Sequence, residues 1–171
     1  MQKVWSVLGT LVFLVIGPGT IGVLVPWLIT GGRTAPPFLG SPATLALGAA
    51  LLSAGLLILL ESFGRFALQG GGTPAPIFPT RQLVVDGFYR FMRNPMYVAL
   101  LCIVLGQGLL FASPLVLLYA VVLAAAFHAL ILLYEEPTLR KAHGEAYEAY
   151  CAEVGRWLPR FGGKRSSDAA A

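Results

Sequence analysis

Charge is what this sequence has least of. Of 171 residues, 12 are Lys or Arg and 8 are Asp or Glu, so only 12% are charged while 57% are apolar. An ordinary soluble domain carries about twice that charged fraction. Cysteine and histidine are equally sparse, with two of each. Cys102 falls inside an apolar run and Cys151 in the polar C-terminal stretch, and neither stands at metal-ligand spacing from His128 or His143. A disulfide framework and a Cys/His metal centre are therefore not what organises the chain. No internal repeat is visible, which argues against a transporter built from duplicated halves.

What is present is a chain suited to a bilayer. Mean hydropathy is +0.76, and each crossing takes about 20 residues. The expected fold is an all-α integral membrane protein, a single domain over residues 1–171 with about four transmembrane helices. The apolar runs are Val4–Leu28, Ala43–Leu60, Met96–Ala112 and Pro114–Tyr134. The first is longer than the apolar core of a cleaved signal peptide and reads as a retained helix. Gly17-Pro18-Gly19 interrupts it and predicts a kink. Gly31–Pro42 reads as a connecting loop, and Phe63, Arg65 and Phe66 beyond Glu61 read as chain lying in the interface.

Gln69–Thr80, with three consecutive glycines and three prolines, excludes a regular helix. It is either a flexible linker or an ordered loop over a site. Ser113-Pro114 is too short for anything but an antiparallel hairpin of the third and fourth spans. Gly106 and Gly108 read as helix contact rather than a cofactor-binding GxG. In Glu145–Val154, residues Tyr147, Tyr150, Cys151 and Val154 share one face of an amphipathic cytosolic helix. Gly162–Ala171 reads as a disordered tail. Every Lys and Arg except Arg33 falls on one side of a four-span arrangement, which predicts cytoplasmic termini. The net charge of +4 thus reads as membrane orientation, not nucleic-acid binding.

Chemistry-bearing residues gather in Asp86–Tyr97, DGFYRFMRNPMY. Asn94-Pro95 is a helix start: Asn caps and Pro is pre-set for the first helical position. The amides beyond it, with Arg93, form either an anion site or a capped end whose arginines meet lipid phosphates. The hairpin brings Glu135 and Glu136 back to this level. Two acids at a helix C-terminus oppose its dipole, so they either pair with Arg90 or Arg93 or serve a ligand. His128 lies within the fourth span, as a functional group or a helix-packing hydrogen bond. A ligand bearing a carboxylate and a cationic centre suits such a face, and S-adenosylmethionine is one option among several.

The strings GFYRFMRNPMY (Gly87–Tyr97), EEPTL (Glu135–Leu139) and HGEAYEAYCAEVGRWLPR (His143–Arg160), in this order and spacing, resemble the isoprenylcysteine carboxyl methyltransferase family and its bacterial relatives. Membrane methyltransferases acting on phospholipid amines share the plan. The likeness covers roughly 72–160. It implies a helical enzyme of the bacterial inner membrane that binds S-adenosylmethionine on its cytosolic side. By position, the family's R-H-P-x-Y element falls on Arg93, Asn94, Pro95 and Tyr97, its paired acids on Glu135 and Glu136, and its C-terminal element on Tyr147, Tyr150, Arg156 and Pro159. Arg93, Asn94, Tyr97, Glu135, Glu136, Tyr147, Tyr150 and Arg156 are thereby expected to hold the cofactor, with Arg93 and Glu136 carrying catalysis. Asn94 stands where the prenylcysteine enzymes have His, Ala99 where Gly is common, and His143 where Phe often precedes Gly144. Asn94 can hydrogen-bond but cannot act as a base.

The expected reaction is in-line methyl transfer to a lipophilic carboxylate, thiol or amine, with Glu135 or Glu136 as base for an amine. The expected partners are S-adenosylmethionine, that acceptor and membrane lipids. The competing expectation is a non-catalytic scaffold or assembly factor of the same fold.

Overall fold

The computed structural model describes residues 12–33, 35–36, 38, 41–69 and 83–158, and among these the regular elements are helical. In chain order they are α1 (Val12–Thr30), α2 (Pro42–Gln69), α3 (Pro95–Leu110), α4 (Pro114–His143) and α5 (Glu145–Glu153), with a 3-10 turn at Gly87–Arg90. The start of the first predicted span, residues 70–82 of the Gly/Pro-rich stretch, Pro159 and the tail from Gly162 lie outside the described residues.

Helices α1, α2 and α4 are long and apolar enough to cross a membrane. The third predicted span is not. Helix α3 has 16 residues, about 24 Å at 1.5 Å per residue, against a hydrocarbon thickness of about 30 Å. It packs centrally: Ala99 and Val104 are fully buried, and Leu100 and Ile103 nearly so. It ends where Ala112 takes a positive φ of 48°. Ser113 then caps α4 by accepting from the Val116 amide, with Pro114 in the first turn.

Glycine sets how closely α2 and α3 approach. A Cβ on Gly55 would lie 2.7 Å from the Ala99 carbonyl oxygen, and one on Gly106 would lie 2.7 Å from the Gly48 carbonyl oxygen. The two backbones are in direct contact, the packing that small residues allow in membranes.

Two expectations for span ends need correction. Helix α2 does not stop at Leu60 but runs on to Gln69. Phe63 is accordingly not an interfacial ring. It is 4% exposed and stacks on Phe13 of α1 at 6.2 Å, because the continued helix turns it into the core. Likewise the fourth span does not end at Tyr134. Helix α4 continues through Glu135-Glu136 to His143, so these acids are not at a helix C-terminus and do not oppose its dipole.

Both α1 and α4 contain a π turn, Thr20–Leu24 and Ile131–Glu135, and each is followed two residues later by a proline, Pro26 and Pro137. Proline has no N–H to close the helical hydrogen bond. In α1 the carbonyls of Gly22 and Ile21, four and five residues before Pro26, are met from outside: Gln107 Nε2 donates to Gly22 and Tyr119 Oη to Ile21 at 3.1 Å. The Gly17-Pro18-Gly19 interruption thus leads into a π turn whose carbonyls anchor α1 to α3 and α4.

Candidate active site at one end of the bundle

The hairpin of α3 and α4 places the start of α3 beside the π turn of α4. Tyr97, in the first turn of α3, donates its hydroxyl to Glu135 Oε2 at 2.8 Å. Its ring packs on Phe127 with centroids 4.6 Å apart. Sequence reasoning put these residues at one level, and the structure joins them.

Glu136 points elsewhere and is nearly inaccessible, at 3% exposure. Arg156 grips it with two bonds, Nε to Oε1 at 2.6 Å and Nη2 to Oε2 at 3.1 Å. This fork geometry is the strong form of a charge-assisted hydrogen bond. Arg93 Nη1 lies 3.3 Å from Oε1, and Arg140 Nη2 lies 3.4 Å from Oε2. One carboxylate thus collects three guanidiniums. The expected partner Arg93 is present, whereas Arg90 is exposed and is not among the ion pairs of the described residues.

The third segment arrives from the C-terminal side. Past α5, Gly155 forms an isolated parallel bridge with Met92, and its carbonyl accepts from the Arg93 amide at 2.8 Å. Asn94 Nδ2 donates to the Arg156 carbonyl at 3.1 Å. This corrects the capping expectation. Asn94 occupies the N-cap position of α3 but makes no side-chain cap bond; its Nδ2 instead holds the segment that carries Arg156. Pro95 sits in the first helical turn as expected.

Helix α5 closes the cluster. Tyr147 is 3% exposed, and Tyr150 donates its hydroxyl to the Tyr89 carbonyl at 2.7 Å. Their rings are 6.3 Å apart. Burial pushes both phenols well above the ordinary tyrosine value, and Tyr89 too, where the Glu135 carboxylate adds to the effect. All three stay neutral donors. The hydrogen bond to Glu136 raises the Arg156 guanidinium further, so it remains a fixed cation.

Two participants, Arg140 and Cys151, were missed from the sequence, and a third, His128, was weighed there as a functional group or a packing hydrogen bond. Arg140 pairs with Glu136, meets Glu148 Oε1 at 2.7 Å and lies 5.9 Å over the Tyr147 ring. Its spacing four residues after Glu136 was the signal that could have found it. Cys151, seen only as part of an apolar face, accepts from Arg93 Nη1, and no sequence spacing pointed to that. His128 accepts from Trp157 Nε1 at 3.2 Å and stacks on that ring. It is exposed and packs the C-terminal segment against α4.

Among the described residues no group of three or more His, Cys, Asp or Glu could hold a metal. The arrangement's chemistry is that of fixed charge. There is a cationic pole around Glu136, where buried Arg93 Nε has no hydrogen-bond partner, and a carboxylate at Glu135 beside Tyr97 and Tyr89.

Residues 43–146 match the family of phospholipid methyltransferases. Over 103 residues the chain is 38% identical to phosphatidylethanolamine N-methyltransferase from Homo sapiens, a match covering 58% of this chain and 50% of that protein. The chain spans about half the length of that curated relative. No solved structure matches significantly. The family match takes in nearly all of α2, all of α3 and α4, Arg93, Asn94, Tyr97, Glu135, Glu136 and Arg140, and it stops before Tyr147, Tyr150 and Arg156. With some three-fifths of its length matched, this integral membrane protein belongs to the phospholipid methyltransferase family.

Proposed function

We propose that the chain is a membrane-embedded methyltransferase that moves a methyl group from S-adenosylmethionine to the amine of a membrane lipid. The observation carrying this reading is the meeting of α3, the π turn of α4 and the segment after α5 at a single polar cluster, much of which lies within the family match. The residues present fit the donor. Three guanidiniums around one carboxylate leave excess positive charge, and the buried, unpartnered Arg93 Nε offers a donor to a carboxylate. The tyrosine rings suit a cationic centre. When bound, S-adenosylmethionine supplies an electrophilic methyl group on a sulfonium.

Glu136 has both oxygens engaged by arginines. Its part is to hold Arg93, Arg140 and Arg156 in place. Glu135 takes the proton that an amine must lose, since it is half-buried, accepts from the Tyr97 hydroxyl and, unlike Glu136, is in no ion pair among the described residues. The enzyme otherwise works by positioning two reactants in a site shielded by α5. If the short apolar helix α3 also crosses, giving four crossings, the positive-inside distribution assigns this end of the bundle to the cytoplasmic face.

The test is to incubate membranes holding the full chain with methyl-labelled S-adenosylmethionine and fractionate the products. Label in amine headgroups of phospholipids is expected. Label in protein or in a volatile product overturns the lipid-amine acceptor. No transfer, together with no calorimetric binding of S-adenosylhomocysteine, would leave the scaffold reading instead.

A further inference from the structure

The two acids at the heart of the cluster are adjacent in sequence, yet they serve different neighbours: Glu135 bonds Tyr97 of α3 and Glu136 bonds Arg156 beyond α5. What allows both is the π turn between the apolar part of α4 and its polar end. Glu136 N–H donates to the Ile131 carbonyl, five residues back rather than four. A π turn is an α-helix holding one extra residue. One residue is about 100° of helical rotation, so everything after the turn is rotated by that amount relative to the apolar part.

Pro137 follows immediately and has no N–H to give to Leu133, so the four-residue interval cannot be closed there. The extra residue costs little packing, because Leu132 and Leu133 face outward at 39% and 80% exposure. The same pairing of π turn and proline recurs at Thr20–Leu24 and Pro26, where the displaced carbonyls are used as acceptors by α3 and α4. Recurrence in an unrelated part of the chain points to proline as the cause.

We propose that Pro137 is a positioning residue: it maintains the one-residue register shift of the π turn Ile131–Glu135, which turns Glu136 onto Arg93 and Arg156, the two arginines that come from other elements, while Glu135 faces Tyr97. In its consequence for activity this rests on the methyltransferase reading. In its geometry it does not.

Restoring an amide with Pro137→Ala lets the helix close its four-residue interval, and Glu136 rotates away from Arg93 and Arg156. Deleting Leu133 in the Pro137→Ala chain removes the extra residue. Glu136 then stands four residues after Ile131, and the original facing returns within a regular α-helix.

The experiment measures thermal unfolding and methyl transfer of the full chain in detergent for the wild type, Pro137→Ala, and Pro137→Ala with Leu133 deleted, each with and without Glu136→Gln. Expected is a Tm loss from Glu136→Gln in the wild type, no further loss in Pro137→Ala, and its return in the deletion variant. Transfer should fall at least tenfold in Pro137→Ala and recover to within threefold in the deletion variant. Equal sensitivity to Glu136→Gln in wild type and Pro137→Ala overturns the proposal. Should Pro137→Ala not fold, recovery of folding on deletion of Leu133 is the expected result, and failure to recover overturns it as well. If the wild type transfers no methyl group, the functional reading fails while the Tm comparison still decides the register.

Discussion

Arg156 and Glu136 are 20 residues apart in sequence and form a two-bond fork, at 2.6 and 3.1 Å, between the segment after α5 and the end of α4. The pair ties the C-terminal segment to the bundle. It also fixes the direction of a carboxylate that two further arginines share.

Substituting Arg156 by Lys keeps the charge but not the planar fork. Hydrogen bonds to charged groups contribute roughly 1.5–3 kcal/mol each, so losing one of the two should lower stability by about that amount. Methyl transfer should fall at least tenfold. Thermal unfolding and initial rates at saturating lipid check this, and an R156K chain with wild-type rates would contradict it.

Tyr97→Phe removes one hydroxyl and leaves the ring on Phe127. The Glu135 carboxylate then loses the hydrogen bond from Tyr97. The expected result is a rate loss of roughly tenfold, smaller than the roughly 10²–10⁴-fold that acid–base catalysis itself contributes because the carboxylate remains, with little change in fold. Comparing kcat with the wild type at fixed pH decides it.

The glycines where α2 and α3 touch, Gly48, Gly55 and Gly106, should tolerate no side chain. A Cβ at Gly55 meets the Ala99 carbonyl oxygen at 2.7 Å and Ile103 Cγ1 at 2.8 Å, so Gly55→Ala should destabilise by about 1–3 kcal/mol, the usual cost of overpacking. Gly64, with open space around it, is the control. A Gly55→Ala chain melting at the wild-type temperature would show that the helices can separate without cost.

High pH probes the buried phenols. Tyr89, Tyr147 and Tyr150 are raised above the ordinary value, first by burial, and an unfolded tyrosine ionises near about 10. The folded state therefore binds these protons more tightly than the unfolded state, and the stability they contribute is complete below that pH and lost as pH rises beyond it. Tyrosinate absorbance should appear late in the folded chain and jump when alkali unfolds it. Full early titration of all six tyrosines would contradict the burial.

A chain ending at Val154 should keep α1 to α4 and lose the site. It lacks the Gly155 bridge to Met92, the carbonyl held by Asn94 and the Arg156 fork. Membrane insertion should persist while methyl transfer falls to background.

The sequence by itself determined the class, the hairpin and most of the cluster's membership. Long apolar runs have one solution in a bilayer, because backbone polar groups must be satisfied within the segment. Two residues between α3 and α4 force antiparallel neighbours, which is why Tyr97 and Glu135 could be placed at one level from spacing alone. Gly106 could be read as a helix contact because only a missing side chain permits such approach.

Tertiary structure decided the rest, for reasons no local pattern records. Hydropathy marks where apolar residues stop, not where a helix does, so α2 and α4 both outran their apolar runs once packing on Phe13 and the arginines stabilised their ends. Asn94 had the sequence of a cap, but its side chain ties the Arg156 carbonyl through Nδ2 and makes no cap bond to α3. Above all, which of two adjacent glutamates faces the arginines depends on a one-residue shift in helical register. Hydrogen bonds five residues apart produce that shift, and it appears only when the whole helix is seen.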